Sequence, residues 1–230
     1  MRRLPSGSPG VYDVGRLQPF VESLPAAEQE EALALIFNLI QIHRLVDDFA
    51  AAVALLDYTE QLEAQVKIVS PGSGEPTELA RNLKTLNIWD EMAARDAAMT
   101  VFHFGKTVEA IRAASREIPT IKQNIEHARL RLATKRFRKE FPDFEMMRHA
   151  VGHRAEATSS LRSVKAHSAG GVFIFGSLER RTYTMTMKGD HHSLAIDHRT
   201  RLTLAEIARV VFSAFPEIEA SLPQLNIATT

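Results

Sequence analysis

The chain has no cysteine. That excludes disulfides, thiolate metal sites and cysteine nucleophiles, without fixing the redox compartment. No run of about 18 apolar residues occurs, so nothing reads as a membrane span. Met1-Arg2-Arg3-Leu4-Pro5 runs into Gly and Ser instead of the apolar core of a secretion signal, and a cytoplasmic location is expected. Neither sign of charge prevails, since 28 Lys and Arg face 28 Asp and Glu. With 45% hydrophobic residues, the composition is that of a globular protein and excludes disorder of the whole chain. Gly-x-Gly-x-x-Gly, Walker A, Gly-x-Ser-x-Gly and His-Glu-x-x-His motifs are absent, and no cofactor is implied.

What is present is mostly helical periodicity. Residues 1–25 scatter Pro5, Gly7, Pro9, Gly10, Gly15, Pro19 and Pro25 too densely for a regular element and read as an arm. From there, residues 26–230 read as one domain. Leu35, Leu39, Ile42, Val46, Phe49, Val53 and Leu56 recur at spacings of four and three, which predicts a long helix from about Glu28. Pro71 to Pro76 predicts an exposed loop, with Thr77 as N-cap of a second helix through Ala93, Ala97, Val101, Phe104, Val108 and Ile111. Its Ala-rich middle is interrupted by Arg95 and Asp96, expected as an internal salt bridge. A third helix is expected over 120–140, and a fourth from Pro142 through Phe144, Met147, Val151, Thr158 and Leu161.

After Gly170-Gly171 the period becomes two. Tyr183, Met185 and Met187 alternate with threonines, Lys188-Gly189-Asp190 can turn the chain, and Leu194 and Ile196 alternate on return. A β-hairpin near 172–198 follows, with Val172 to Phe175 as a candidate third strand. Thr203 and Glu206 form a capping-box pattern ahead of a short C-terminal helix. The fold class is therefore mainly α, an up-down bundle of about four long helices with a late β-hairpin.

Zero net charge conceals an asymmetry. Glu22 to Glu63 holds nine acids against Arg44 alone, whereas Arg112 to Phe141 holds nine Lys or Arg. Arg129, Arg131, Lys135, Arg136, Arg138 and Lys139 fall within eleven residues without an acid, forming a candidate phosphate-binding strip beside the alternative of a solvated helix face.

Chemistry concentrates just beyond that strip, in Arg148-His149-Ala150-Val151-Gly152-His153. Arg148, four residues and His153 resemble the Arg-x4-6-His signature of the HEPN superfamily, with polar His149 directly after the Arg. The resemblance implies a helical bundle, usually dimeric, and in that superfamily's ribonucleases a cleavage of RNA without metal. It would have Arg148 stabilise charge on the phosphate, His153 transfer protons and His149 help position it. Physically, imidazole exchanges protons near neutral pH and guanidinium matches phosphate. An unbroken helix would place Arg148 and His153 about 140° apart, so convergence needs a two-fold mate or a distorted turn, for which Gly152 is the candidate.

Two other readings use nearby residues. Glu145, His149, His153 and Glu156 could share one helix face and, with Asp96 and His103, hold a metal. A non-catalytic homo-oligomer or adaptor would instead use the acidic helix as its contact face. Asp190, His191, His192, Asp197 and His198 look metal-like, but strand alternation is expected to spread them over both sheet faces.

Overall fold

The computed structural model describes residues 18–69 and 76–216. Most of the expected arm, the loop before Pro76 and the tail from residue 217 lie outside the described residues. Within the arm's last residues the expectation of no regular element is corrected. Gln18–Glu22 forms a short helix, α1, whose Val21 is buried along with the following Leu24. A 3-10 turn at Ala26–Glu28 leads into α2 (Gln29–Val69).

All seven apolar residues of the four-and-three pattern in α2 are buried, as are Ile36, Ile40 and Leu45. Burying each such side chain contributes roughly 1.5–3 kcal/mol, which is ample reason for the helix to persist through 41 residues. Helix α3 (Pro76–Ala114) begins on its proline, where a missing N–H costs nothing; Thr77 therefore lies inside the first turn. Ala93, Ala94, Ala97 and Ala98 are buried. The charges between them turn outward, so the expected internal Arg95–Asp96 bridge is replaced by a contact of Arg95 with Glu91 at 4.0 Å.

The third and fourth helical stretches are interrupted. α4 (Pro119–Lys122) is separated from α5 (His127–Glu140) by a turn in which the Glu126 N–H donates to the Ala214 carbonyl at 3.0 Å. The fourth divides into α6 (Phe144–Gly152), α7 (Arg154–Ala157) and α8 (Leu161–His167).

The hairpin is present as β2 (Thr182–Met187) and β3 (Asp190–Ala195), antiparallel with Met187 opposite Asp190 and Tyr183 opposite Leu194. Lys188 and Gly189 turn the chain with φ of 54° and 89°, the left-handed pair that matches strand twist. The third strand is β1 (Ser177–Glu179), paired antiparallel with β2, not Val172 to Phe175. That segment does run beside β2, since Ile174 accepts from the Thr186 N–H at 3.0 Å. Gly176, at φ 106°, interrupts the ladder between them. The turn from β1 to β2 carries Arg180 and Arg181 at φ 46° and 66°. Arg181 is held there by side-chain bonds to Asp57 at 2.7 Å and to both Glu60 oxygens at 2.6 and 2.7 Å.

The C-terminal helix, α9 (His198–Phe212), starts ahead of Thr203. Its cap is Asp197, whose Oδ1 accepts from the Thr200 N–H at 2.7 Å; Glu206 is released from capping and pairs with Arg136.

The residues sort into two compact units, one within 1–46, 103–140 and 202–230, the other within 47–102 and 141–201. The first is helical, with Leu35, Leu39, Phe104, Ile111, Phe137, Ile207 and Val211 in its core and the Phe104 and Phe137 rings 5.6 Å apart. The second buries Phe49, Val53, Leu56, Val101, Met147, Tyr183, Met185 and Ile196. Among the described residues, no helix is long and apolar enough to cross a membrane.

Candidate functional site

Helix α6 is seated by its apolar side. Phe144 and Met147 are buried, and the next turn on the Phe144 side presents Arg148. At the helix entry, Asp143 Oδ1 lies 3.2 Å from Nδ1 of His192 on β3 without hydrogen-bond geometry, while His192 Nε2 is 3.3 Å from the Met187 carbonyl.

The helix then stops. Gly152 is its last residue and His153, at φ −113° and ψ 31°, stands between α6 and α7. An ideal helix would carry His153 to the far side. Here His153 Nε2 lies 3.0 Å from Arg148 Nη1, while its backbone N–H still donates to the His149 carbonyl at 2.9 Å. The departure from helical backbone lies at His153 and not at Gly152, which is still helical, and the two side chains meet within one chain.

Further contacts orient the pair. The Arg148 guanidinium lies over the Phe102 ring, 5.6 Å from its centre, a cation–π contact of about 0.5–1 kcal/mol. Phe102 in turn stacks on Phe144, with centres 6.3 Å apart. The His149 ring stacks on that of His153 at 5.6 Å and 28°. On the remaining side, His153 Nδ1 lies 2.9 Å from Glu156 Oε1. The site is open to solvent, with the His153 side chain 38% and that of Glu156 77% exposed.

Phe102 could not be found from the sequence, because its role depends on α3 packing beside α6. Glu156 was visible only as a candidate metal ligand. Of that metal-like set, His149 and His153 face one another as stacked rings, and among the described residues no group of three or more His, Cys, Asp or Glu is placed to hold a metal ion. The histidines of the sheet region are dispersed as strand alternation requires: His191 is exposed, His192 buried, and His198 Nε2 lies 3.2 Å from Asp57 Oδ2.

The basic strip divides into two sets. Arg129 pairs with Glu126 at 2.6 Å, Arg136 with Glu206 and Arg138 with Glu109 at 3.1 Å. Burial pushes the Glu109 carboxyl upward, but hydrogen bonds from Lys106 and Arg138, and their charges, outweigh it and hold the group below its ordinary range. Arg131, Lys135 and Lys139 are exposed. Their spacing of four puts them on one side of α5, and they form no ion pair among the described residues. The strip belongs to the first unit, and Arg148, His149 and His153 to the second.

Comparison of the chain with protein-family models, with curated proteins and with solved structures finds no match.

Proposed function

We propose that the protein is a metal-independent endoribonuclease resembling the HEPN type and acting as a homodimer in the cytoplasm. The observation that carries this reading is the 3.0 Å approach of Arg148 Nη1 to His153 Nε2, which unites a phosphate-binding cation and a proton-transfer group at a solvent-open position. His153 removes the proton from a ribose 2′-hydroxyl, the 2′ oxygen attacks phosphorus, and the bond from phosphorus to the 5′ oxygen breaks. The leaving oxygen takes a proton from water, and the hydroxide so formed takes back the proton that His153 removed. Arg148 binds the negative charge on the phosphate oxygens, where its planar donors fit, and His149 supports the His153 ring. Arg131, Lys135 and Lys139, with Arg129, Arg136 and Arg138 beside them, supply the basic surface for the strand.

The test is cleavage of a fluorescent single-stranded RNA by purified protein in chelator. The wild type is expected to cut it to 2′,3′-cyclic ends, and Arg148→Ala or His153→Ala to lower the rate at least about a hundredfold. Absence of cleavage by the wild type, or equal cleavage by both variants, overturns the reading.

A second reading, a non-catalytic helical oligomer or adaptor, is favoured by the exposure of Leu33 and Phe37 on the acidic helix, the latter at 56%. Large apolar groups one turn apart on a helix surface are characteristic of contact faces. Light scattering of a Phe37→Glu variant checks it: loss of an assembly seen for the wild type supports the face, and a monomeric wild type removes it.

A further inference from the structure

We propose that Glu156 is the positioning residue of this site, fixing the His153 imidazole in the tautomer whose proton is on Nδ1 and whose lone pair is on Nε2. The inference rests on His153 being the proton-transferring group proposed above, and it adds which of its nitrogens does the work. The argument is one of matched donors and acceptors. A guanidinium can only donate, so the ring nitrogen 3.0 Å from Arg148 Nη1 must offer a lone pair. An ionised carboxylate can only accept, so the nitrogen 2.9 Å from Glu156 Oε1 must carry the proton. Both demands are met by a single neutral tautomer. The opposite one sets N–H against N–H at Arg148 and a lone pair against a carboxylate at Glu156.

Glu156 is itself held in place. Its carbonyl accepts from the Ser159 hydroxyl at 2.8 Å and from the Ser163 hydroxyl at 2.9 Å, and its N–H donates to the His153 carbonyl at 3.1 Å. The one-turn helix α7 therefore holds the Glu156 backbone beside His153, from where the carboxylate reaches the imidazole. Arg148, engaged on the other side, marks where the substrate's anionic group enters. When a phosphodiester draws the guanidinium onto itself, the Nε2 lone pair is uncovered beside the bound phosphate and receives the 2′-hydroxyl proton, while the proton on Nδ1 stays with Glu156.

The decisive measurement is long-range nitrogen–proton NMR of nitrogen-15 histidine-labelled protein without RNA, with His153 assigned by comparison with His153→Gln. The wild type is expected to show the proton on Nδ1. Glu156→Gln, whose amide oxygen still accepts, retains that tautomer, and Glu156→Ala loses its bias toward Nδ1. In the RNA assay Glu156→Ala lowers kcat about tenfold with KM little changed, the order observed when the partner orienting a functional imidazole is removed, and Glu156→Gln lies between it and the wild type. A wild-type proton on Nε2, or a tautomer unmoved by Glu156→Ala in a protein with an otherwise native amide spectrum, overturns the inference. If the NMR result is as expected but the wild type cleaves no RNA, the ribonuclease reading fails while the Glu156–His153 arrangement stands.

Discussion

Gly176 leaves no room for even a single methyl group. Its φ is 106°, and a Cβ there would come 2.5 Å from the hydroxyl oxygen of Tyr183, which is itself 1% exposed in the core. Gly176→Ala combines backbone strain with overpacking, so it is expected to cost about 2 kcal/mol or more, read as a lowered denaturation midpoint. Asp90 provides a test of opposite character. Burial pushes its carboxyl above the ordinary range and the neighbouring charges of Glu60 and Glu63 add to this, against a hydrogen bond from Thr59 and the charge of Arg181. A carboxyl raised by folding binds its proton more tightly when folded. Its contribution is therefore full at low pH and is lost as pH rises through the raised value. Asp90→Asn keeps an acceptor for Thr59 and removes the charge, so the variant should match or exceed the wild type in thermal stability at pH 7, with the difference vanishing below about pH 4. A variant that is less stable at pH 7 alone would contradict this. Neither residue was singled out by sequence, since each effect depends on a neighbour distant along the chain.

At the scale of elements, the helices and the hairpin were readable because their signals are local. The spacing of Leu35 to Leu56 defines a buried face whatever packs on it, and Lys188-Gly189 supplies left-handed backbone where the strands reverse. The interruptions were less legible. Pro142 and the apolar residues that follow permit a continuous fourth helix, yet the chain breaks it twice. Gly152 is helical, carries no positive φ and has nothing within 4 Å of a Cβ, so Gly152→Ala meets no obstacle and should stabilise the protein by about 0.5–1 kcal/mol through lower unfolded-state entropy and better helix propensity. Urea unfolding measures this directly. Should the added propensity extend α6 through His153, the same variant loses the Nδ1 tautomer and RNA cleavage while gaining stability. Arg180 and Arg181 make the converse point: no glycine marks their turn, and the left-handed pair persists because Asp57 and Glu60 on α2 hold Arg181.

For the whole molecule, zero net charge means that any attraction for RNA must come from a local patch. With three of the six basic residues of α5 engaged by Glu126, Glu206 and Glu109, the patch available without breaking an ion pair is Arg131, Lys135 and Lys139. Single-stranded binding loses about 0.7 in the logarithmic salt slope for each phosphate contact removed. Replacing those three by Ala should therefore reduce the slope by about 2 and weaken affinity for all sequences alike, as fluorescence anisotropy across a salt series would report. An unchanged slope would remove α5 from RNA binding without bearing on Arg148 or His153.

The helical class, the positions of the long apolar faces, the late hairpin and the candidacy of Arg148, His149 and His153 are all legible in the amino-acid sequence. These follow from periodicity, turn chemistry and residue type, all of which act within a few positions of the chain. Tertiary structure decided where helices stop, which cations remain available, and that His153 returns to Arg148 with Phe102 beneath the guanidinium and Glu156 behind the ring. Those outcomes depend on which distant side chains share a space, which spacing along the chain does not encode.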